Sequence, residues 1–325
     1  MRYPIFFPAV LLLFFFQSIQ SCKKSSDPVP DPVPVIKPDT LSTGWTKQVM
    51  PGETNFADVF FNSSTTGYLL GSKIYKSNDG GNTWLPVLSG INFYNIFMTN
   101  DSKAFFVGQN SAVYRTLDGG SSFVNTAIGP TPLDIFFTDN NTGFCITLDG
   151  LYTTADAGAT WTRITTTGLP SILSGYASLA FTGNTTGWVV HPGGIFKTNG
   201  SAASWQQATV NGGTPAIAFA SVFASSATSI YAANNYGEIF RSTNGGTDFS
   251  FLAKLNEGGF TDLHFLTDLL GYASVGRNVF KTTDGGVNWT KVVSLGQGTL
   301  GELHFTDATH GWVGGSDGII LVFKQ

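Results

Sequence analysis

Cysteine is nearly absent from this chain of 325 residues, with only Cys22 and Cys145 present. No CxxC pair or metal-type cysteine spacing exists, so neither a disulfide framework nor a cysteine-built metal site is expected. Charge is scarce as well: Asp, Glu, Lys and Arg make up 12% of the residues and the net charge is −4. The 17 Lys and Arg are outnumbered by 21 acids and form no basic stripe, which argues against nucleic acid as a partner. Beyond the N-terminus no stretch sustains helical periodicity. In excess are glycine, at 39 residues, and phenylalanine, at 28. Together they suit short strands separated by tight turns, with enough apolar surface for a substantial core.

Residues 1–22 read MRYPIFFPAVLLLFFFQSIQSC. One basic residue, Arg2, precedes an apolar run from Ile5 to Phe16, and small or polar residues lead to Cys22. The run is too short for a standard membrane-spanning helix and has the form of a secretory signal. Ile19-Gln20-Ser21-Cys22 resembles a bacterial lipobox. The resemblance implies a lipoprotein signal peptide over residues 1–21, a lipid on Cys22, and a membrane anchor through that lipid. The plainer alternative is an ordinary cleaved signal. Residues 22–42 then form a tether, with five prolines between Lys23 and Thr40. Such chain is semi-extended at about 3.1 Å per residue and holds a domain some tens of Å from a membrane. The expected location is extracytoplasmic, on a bacterial outer membrane or cell surface. With Cys22 lipidated, Cys145 has no disulfide partner; within the apolar run Gly143 to Ile146 it reads as a buried, inert thiol.

The rest of the chain is organised around Ser77-Asn78-Asp79-Gly80-Gly81-Asn82-Thr83-Trp84, which returns with variations every 38 to 44 residues. The returns begin at Thr116, Thr154, Thr198, Ser242 and Thr282. Each has Ser or Thr first, an acid or its relative two later, a small residue at the fifth position and an aromatic at the eighth. Asp79, Asp118, Asp156, Asn244 and Asp284 are placed to accept hydrogen bonds from backbone N–H groups just ahead of them. A turn of this kind is self-satisfied and needs no ligand; the sharper reading of its acids is catalysis or calcium binding. The copy at Thr198 favours the structural reading, because Gly200 replaces the Asp and Ala202 the Gly, yet the repeat runs on through it.

Three strand-like runs precede each turn. The first starts on a polar residue, at Asp58, Asn95, Asp134, Ser178, Ser221, Asp262 and Glu302. Nine residues later the second begins, at Gly67, Ala104, Gly143, Gly187, Ile230, Gly271 and Gly311. The aromatic of the turn opens a fourth. Four short antiparallel strands repeated seven times predict an all-β fold, a seven-bladed β-propeller over residues 43–325. The seventh unit stops at its third strand, and Gly44–Val49 resembles the missing fourth, so the N-terminal strand is expected to close the last blade.

Phe280-Lys281-Thr282-Thr283-Asp284-Gly285-Gly286 and His310-Gly311-Trp312-Val313-Gly314 carry the clearest likeness to a known family. The unit resembles the BNR/Asp-box repeats of the photosystem II assembly factor-like propellers, over about residues 44–325. The resemblance implies a seven-bladed propeller and, as in photosynthetic members, a chaperone-like role binding a membrane-protein subunit during assembly. Sialidases share the Asp-box turn, but their chemistry needs three clustered arginines. Past the signal, the chain has only Arg115, Arg163, Arg241 and Arg277, with Arg115 and Arg241 at peripheral blade positions. Xyloglucanase-type hydrolases use two such propellers, and this chain has one.

Three constellations are candidate sites. Asp58, Asp134, Asp262 and Glu302, with Asn95, sit where first strands line a propeller channel. They either form a channel-mouth site, as acid and base or around a cation, or bond the backbone of their own or the next blade. His264 and His304 follow two of these acids by two residues and either bind a metal or pack like Phe60, Phe97 and Phe136. Lys76, Arg115, Lys197, Arg241 and Lys281 form either a basic arc that meets an acidic partner or an edge-protecting row of solvated charge. Two longer connections, Thr165 to Tyr176 and Thr209 to Phe219, are expected on the face opposite the acidic turns, where binding usually sits. No cofactor is expected. The favoured function is non-catalytic binding of a protein partner in an assembly or scaffold role; the rival is a glycan-binding or glycoside-hydrolase propeller.

Overall fold

The computed structural model describes residues 37–171, 177–200, 202–214, 218–256 and 259–325. The expected signal peptide, Cys22 and the tether up to residue 36 lie outside the described residues. The described chain forms seven antiparallel sheets and no helix. Their innermost strands touch in cyclic order, with the last, Leu300–Asp307, against the first, Asp58–Phe61, so the sheets are the blades of a closed seven-bladed β-propeller. Blade 1 runs Asp58–Phe61, Gly67–Leu70, Lys73–Ser77 and Leu85–Ser89 from the axis outward. Blades 2 to 6 begin at Phe93, Pro132, Ser178, Phe219 and Phe260.

Closure follows the expected route. Blade 7 is built from Leu300–Asp307, His310–Gly315 and Ile319–Lys324, and its outer strand is Trp45–Val49, paired antiparallel with Ile319–Phe323. The propeller engages the chain earlier than composition suggests. Thr40–Leu41 adds an edge strand to blade 6, and Asp39 accepts hydrogen bonds from Gly296 N–H at 2.8 Å and Lys47 Nζ at 2.7 Å. The expected tether therefore loses its last residues, because one carboxylate pins them to two partners. The longer connections are also partly secured. Thr209–Asn211 lies parallel to the outer strand of blade 5, and Thr167 bridges to Ser204. Residues 172–176 and 215–217 of those connections lie outside the described residues.

One packing unit recurs at the blade junctions. The first strand ends on a residue paired directly with the opening residue of the second: Phe61 with Gly67, Phe137 with Gly143, Phe181 with Gly187, Phe265 with Gly271 and Phe305 with Gly311. The Phe ring lies flat on its glycine, so a Cβ there would stand 2.2 to 2.7 Å from ring carbons. In the two other blades the partners change together, Met98 facing Ala104 and Ala224 facing Ile230. The other face of each Phe stacks on an aromatic of the preceding blade. Phe61 meets Trp312 at 3.6 Å, Phe137 meets Phe105 at 3.8 Å, Phe181 meets Phe144 at 4.1 Å, Phe265 meets Tyr231 at 3.6 Å and Phe305 meets Tyr272 at 3.9 Å. The aromatic that closes the turn, Trp84, Trp161, Trp205 or Trp289, stands edge-on to the same Phe. Glycine is needed here because it leaves the first-strand face open for a whole ring.

Gly311→Ala is expected to lower unfolding stability by about 2 kcal/mol or more, since the ring of Phe305 has no room to move. Ala224→Phe alone should destabilise in the same way. Combining it with Ile230→Gly should restore at least half of the loss, because the pair then copies its five counterparts. Urea denaturation of the three variants checks this, and a double variant no better than the single one would disprove complementary pairing.

Candidate functional site

The first-strand acids do come together at the mouth of the axial channel, but most of their oxygens are already engaged. Asp58 accepts from its own neighbour Val59 N–H at 2.6 Å and from Ile96 N–H of blade 2 at 2.8 Å. Asp134 does the same with Ile135 N–H and with Leu179 N–H of blade 4, both at 2.7 Å. Asp262 reaches Leu303 N–H of blade 7 at 3.2 Å and takes the Ser221 hydroxyl of blade 5 at 3.3 Å. β-bulges at Pro132/Asp134 and Phe260/Asp262 turn these side chains out of the regular ladder and toward the next blade. Each Asp thus clamps its blade to its successor.

Desolvation dominates the protonation of this ring. It raises Asp134 to about 7 against the opposing pull of two backbone N–H groups, and it raises Asp58 well above the usual carboxylate range. Asp262 and Glu302 face the lumen and are half-buried by surface, yet protein surrounds them on every side. Burial raises both; the neighbouring carboxylates raise Glu302 further, and its carboxyl in the protonated form donates to Asp262. The cavity at this mouth is about 160 Å³, lined by Tyr94, Asn95, Asp134, Ser178, Asp262 and Glu302 among others. A second cavity of about 260 Å³, lined by the same Asn95, Asp134, Ser178, Asp262 and Glu302 together with Asp58 and the aromatic belt below, continues it along the axis.

Deeper in the channel, rings take over. Phe60, Phe97 and Phe136 follow one another at 5.2 and 4.9 Å, and Phe223, His264, His304 and Phe60 continue the belt at 4.8, 4.9 and 4.0 Å. The belt is interrupted at blade 4, where the equivalent residue is Ala180. Burial drives His264 down to about 4 and holds His304 well below the usual imidazole range, so both are neutral at pH 7. Their ring N–H groups hydrogen-bond the backbones of Phe305 and Phe61. The two imidazoles meet edge to face rather than converging on a point. Among the described residues no group of three or more His, Cys, Asp or Glu is arranged to hold a metal ion. Cys145 is fully buried, and burial raises its thiol well above the ordinary range.

The acidic turns satisfy themselves. In the first, Asp79 accepts from Ser77 Oγ at 2.8 Å, Thr83 N–H at 2.9 Å and Thr83 Oγ1 at 2.6 Å, while Ser77 Oγ accepts from Gly81 N–H at 2.8 Å. Asp118, Asp156 and Asp284 repeat the pattern, and Asn244 does so with Asp248. These bonds, led by the hydroxyl of Thr83, Ser122 or Thr160, hold Asp79, Asp118 and Asp156 at about 2.

Part of the cation series reaches the next blade. Lys76 Nζ donates to Gly119 O at 2.8 Å and Arg115 Nη1 to Ala157 O at 2.6 Å, each on the acidic turn of the following blade. Arg241 binds Ser229 Oγ and lies over the Tyr231 ring, and Lys281 lies over Tyr272. Lys197 Nζ lies 3.4 Å from where a Cβ on Gly245 would be, at the turn of blade 5. Lys76 and Arg115 thus bond the next blade, whereas Arg241 and Lys281 make these contacts within their own. Pattern matching misses a further latch, Lys324 of blade 7 to Asn82 Oδ1 at 2.9 Å, because it sits two register positions further along its strand. Blade 3 has Thr153 at the equivalent place, bonded to Gly143 O within its own sheet.

A closed ring of seven antiparallel blades defines a class: a single-ring β-propeller. Residues 122–258, less than half of the chain, match the family model described as Photosynthesis system II assembly factor YCF48, in line with the resemblance read from the repeats. Among solved structures, a YCF48 bound to D1 peptide is 19% identical, with 90% of this chain and 99% of that chain covered and a TM-score of 0.70. YCF48 from Cyanidioschyzon merolae is 20% identical, with 86% and 98% covered and a TM-score of 0.70. The GH74 xyloglucanase from Xanthomonas campestris is 14% identical; 85% of this chain is covered but only 53% of the enzyme, at a TM-score of 0.66. At these identities the likeness shows the fold. No curated protein matches the sequence.

Asp134 generates a pH prediction. Its folded value of about 7 lies above the ordinary 3.8, so the folded state holds a proton that the unfolded state has released. The stabilisation is full below the unfolded value and is lost as pH rises through about 7. Stability should therefore fall between pH 4 and pH 7, by up to about 1.4 kcal/mol per pH unit from this group. The turn carboxylates act oppositely, but below pH 4. Asp134→Asn should flatten the decline measured by urea denaturation at pH 4.5 and 7.5; an unchanged decline would show that Asp134 is ionised throughout.

Proposed function

We propose that this protein is a non-catalytic, lipid-anchored extracytoplasmic propeller that binds a protein partner in an assembly or scaffold role. The observation that carries the reading is the state of the channel acids. Asp58 and Asp134 have both oxygens held by backbone N–H groups, and Asp262 is shared between Leu303, Ser221 and Glu302. A hydrolytic pair needs two carboxylates open to a bound glycoside. The same fold in a YCF48 bound to D1 peptide supports a peptide or protein as the partner. The lipobox-like Ile19–Cys22 and the prolines after it support an anchor that presents the ring away from a membrane surface.

A carbohydrate-active role is the second reading, favoured by the structural likeness to a GH74 xyloglucanase. Against it stand the engaged channel acids and the single ring, which corresponds to about half of that enzyme. Xyloglucan hydrolysis that is abolished by Asp262→Asn would favour this reading.

Two outcomes are expected. Cys22→Ala should move the protein from the membrane fraction to the soluble fraction and remove the mass of the lipid. Membrane pull-downs with the lipidated protein should recover a protein partner, and shortening Thr165–Tyr176 should lose it. Recovery of no protein with either bait would overturn the partner reading.

A further inference from the structure

The axial clamp between blades 6 and 7 differs from its two sisters. Asp58 and Asp134 hold the N–H of the next blade at 2.8 and 2.7 Å, whereas Asp262 holds Leu303 N–H at 3.2 Å. The residue just before the clamped N–H differs too. It is Asn95 beside Ile96 and Ser178 beside Leu179, and neither can ionise. The Ser178 hydroxyl donates to Asp134 across its joint. Beside Leu303 the residue is Glu302, and its side chain bonds that of Asp262 across the 6/7 joint. A hydroxyl or an amide keeps its donor at every pH. Two carboxyl groups bond only while one of them carries a proton.

Nothing around the pair offsets a second negative charge. Facing it are Asp58 of blade 1, Tyr94 of blade 2 and Asp134 of blade 3, with His264 and His304 below, both neutral at pH 7. Blades 4 and 5 present the hydroxyls of Ser178 and Ser221, and Ser221 reaches Asp262 at 3.3 Å. Among the described residues no Lys or Arg lines either channel cavity. Asp58 and Asp134 add their own repulsion to that of Asp262 on Glu302. The rim of the same joint is tied. Thr40–Leu41 lies on blade 6 and Trp45–Val49 on blade 7, with Ser42-Thr43-Gly44 between them. The axial end is therefore where this joint can open.

We propose that the joint between blades 6 and 7 is a proton-operated closure of the channel mouth. With its proton, Glu302 bonds Asp262, and blade 7 sits closed on blade 6. When that proton leaves to water through the mouth, two carboxylates face one another. They separate, drawing Leu303 N–H off Asp262 and widening the mouth at this joint alone. Burial and the neighbouring carboxylates raise Glu302 well above its ordinary 4.5, and burial raises Asp262 to about 6. The bond is therefore complete at acid pH and is lost as pH rises through the raised value of Glu302. This closure goes beyond the partner-binding reading and does not rest on it.

The test is hydrogen exchange of single amides in the full-length protein, followed by NMR from pH 5 to pH 8.5 and corrected for intrinsic exchange. Protection of Leu303 N–H should fall at least tenfold more over this range than protection of Ile96 and Leu179. Glu302→Gln supplies a permanent donor of the same size, so it should keep Leu303 protected throughout. An equal change at the three amides, or a fall in Glu302→Gln as steep as in the unaltered protein, would overturn the closure. Where that variant does not fold, the carboxyl carbon resonance of Glu302 in the unaltered protein decides. A titration midpoint above pH 5.5 supports the closure, and one at or below it overturns the closure.

Discussion

The ring stands on a flat aromatic contact set into a missing side chain. Wherever a first strand ends in Phe, the residue across from it is glycine, and the ring lies on that bare backbone with its other face against the preceding blade. This contact fixes the distance between sheets at each of those junctions. Where it is absent, volume moves to the other partner, as in Ala224 facing Ile230. The volume belongs to the pair rather than to either residue.

Polar groups then secure what the rings set apart. At the axis, Asp58, Asp134 and Asp262 each reach a backbone N–H of a following blade; at the periphery, Lys76 and Arg115 each reach a backbone carbonyl of a following blade. Donors face acceptors in opposite senses at the two radii. Blade 1 is therefore held to blade 2 by an acid near the axis and a base near the rim, which resists both sliding and splaying. This explains why so few charges suffice, and why those that look like a functional arc in one dimension are structural in three.

Much of the architecture was legible in the residues, and the candidate site much less so. The offset of nine between the first and second strands survives every blade because a direct strand pair imposes it, and such pairing is local. The closing strand was legible because Trp45 repeats the role of Trp84 and Trp289. The role of Asp58 was not, because its second partner, Ile96 N–H, belongs to another repeat and backbone donors leave no mark in a sequence. Lys76 was misleading for the same reason: its acceptor is the carbonyl of Gly119.

The pairing of Trp45–Val49 with Ile319–Phe323 also sets the order in which the molecule can be completed. The two halves of that ladder lie at opposite ends of the ring-forming chain, so closure brings together segments some 270 residues apart. Loop-closure entropy for that span is of the order of 5 kcal/mol, and it falls on a single blade. Six blades can form from neighbouring residues as the chain emerges, whereas the seventh must await the last strand, with Trp45 unpaired until then. Anything that held the N-terminal end in place would confine that waiting strand to a small volume, shortening the search that the topology itself makes long.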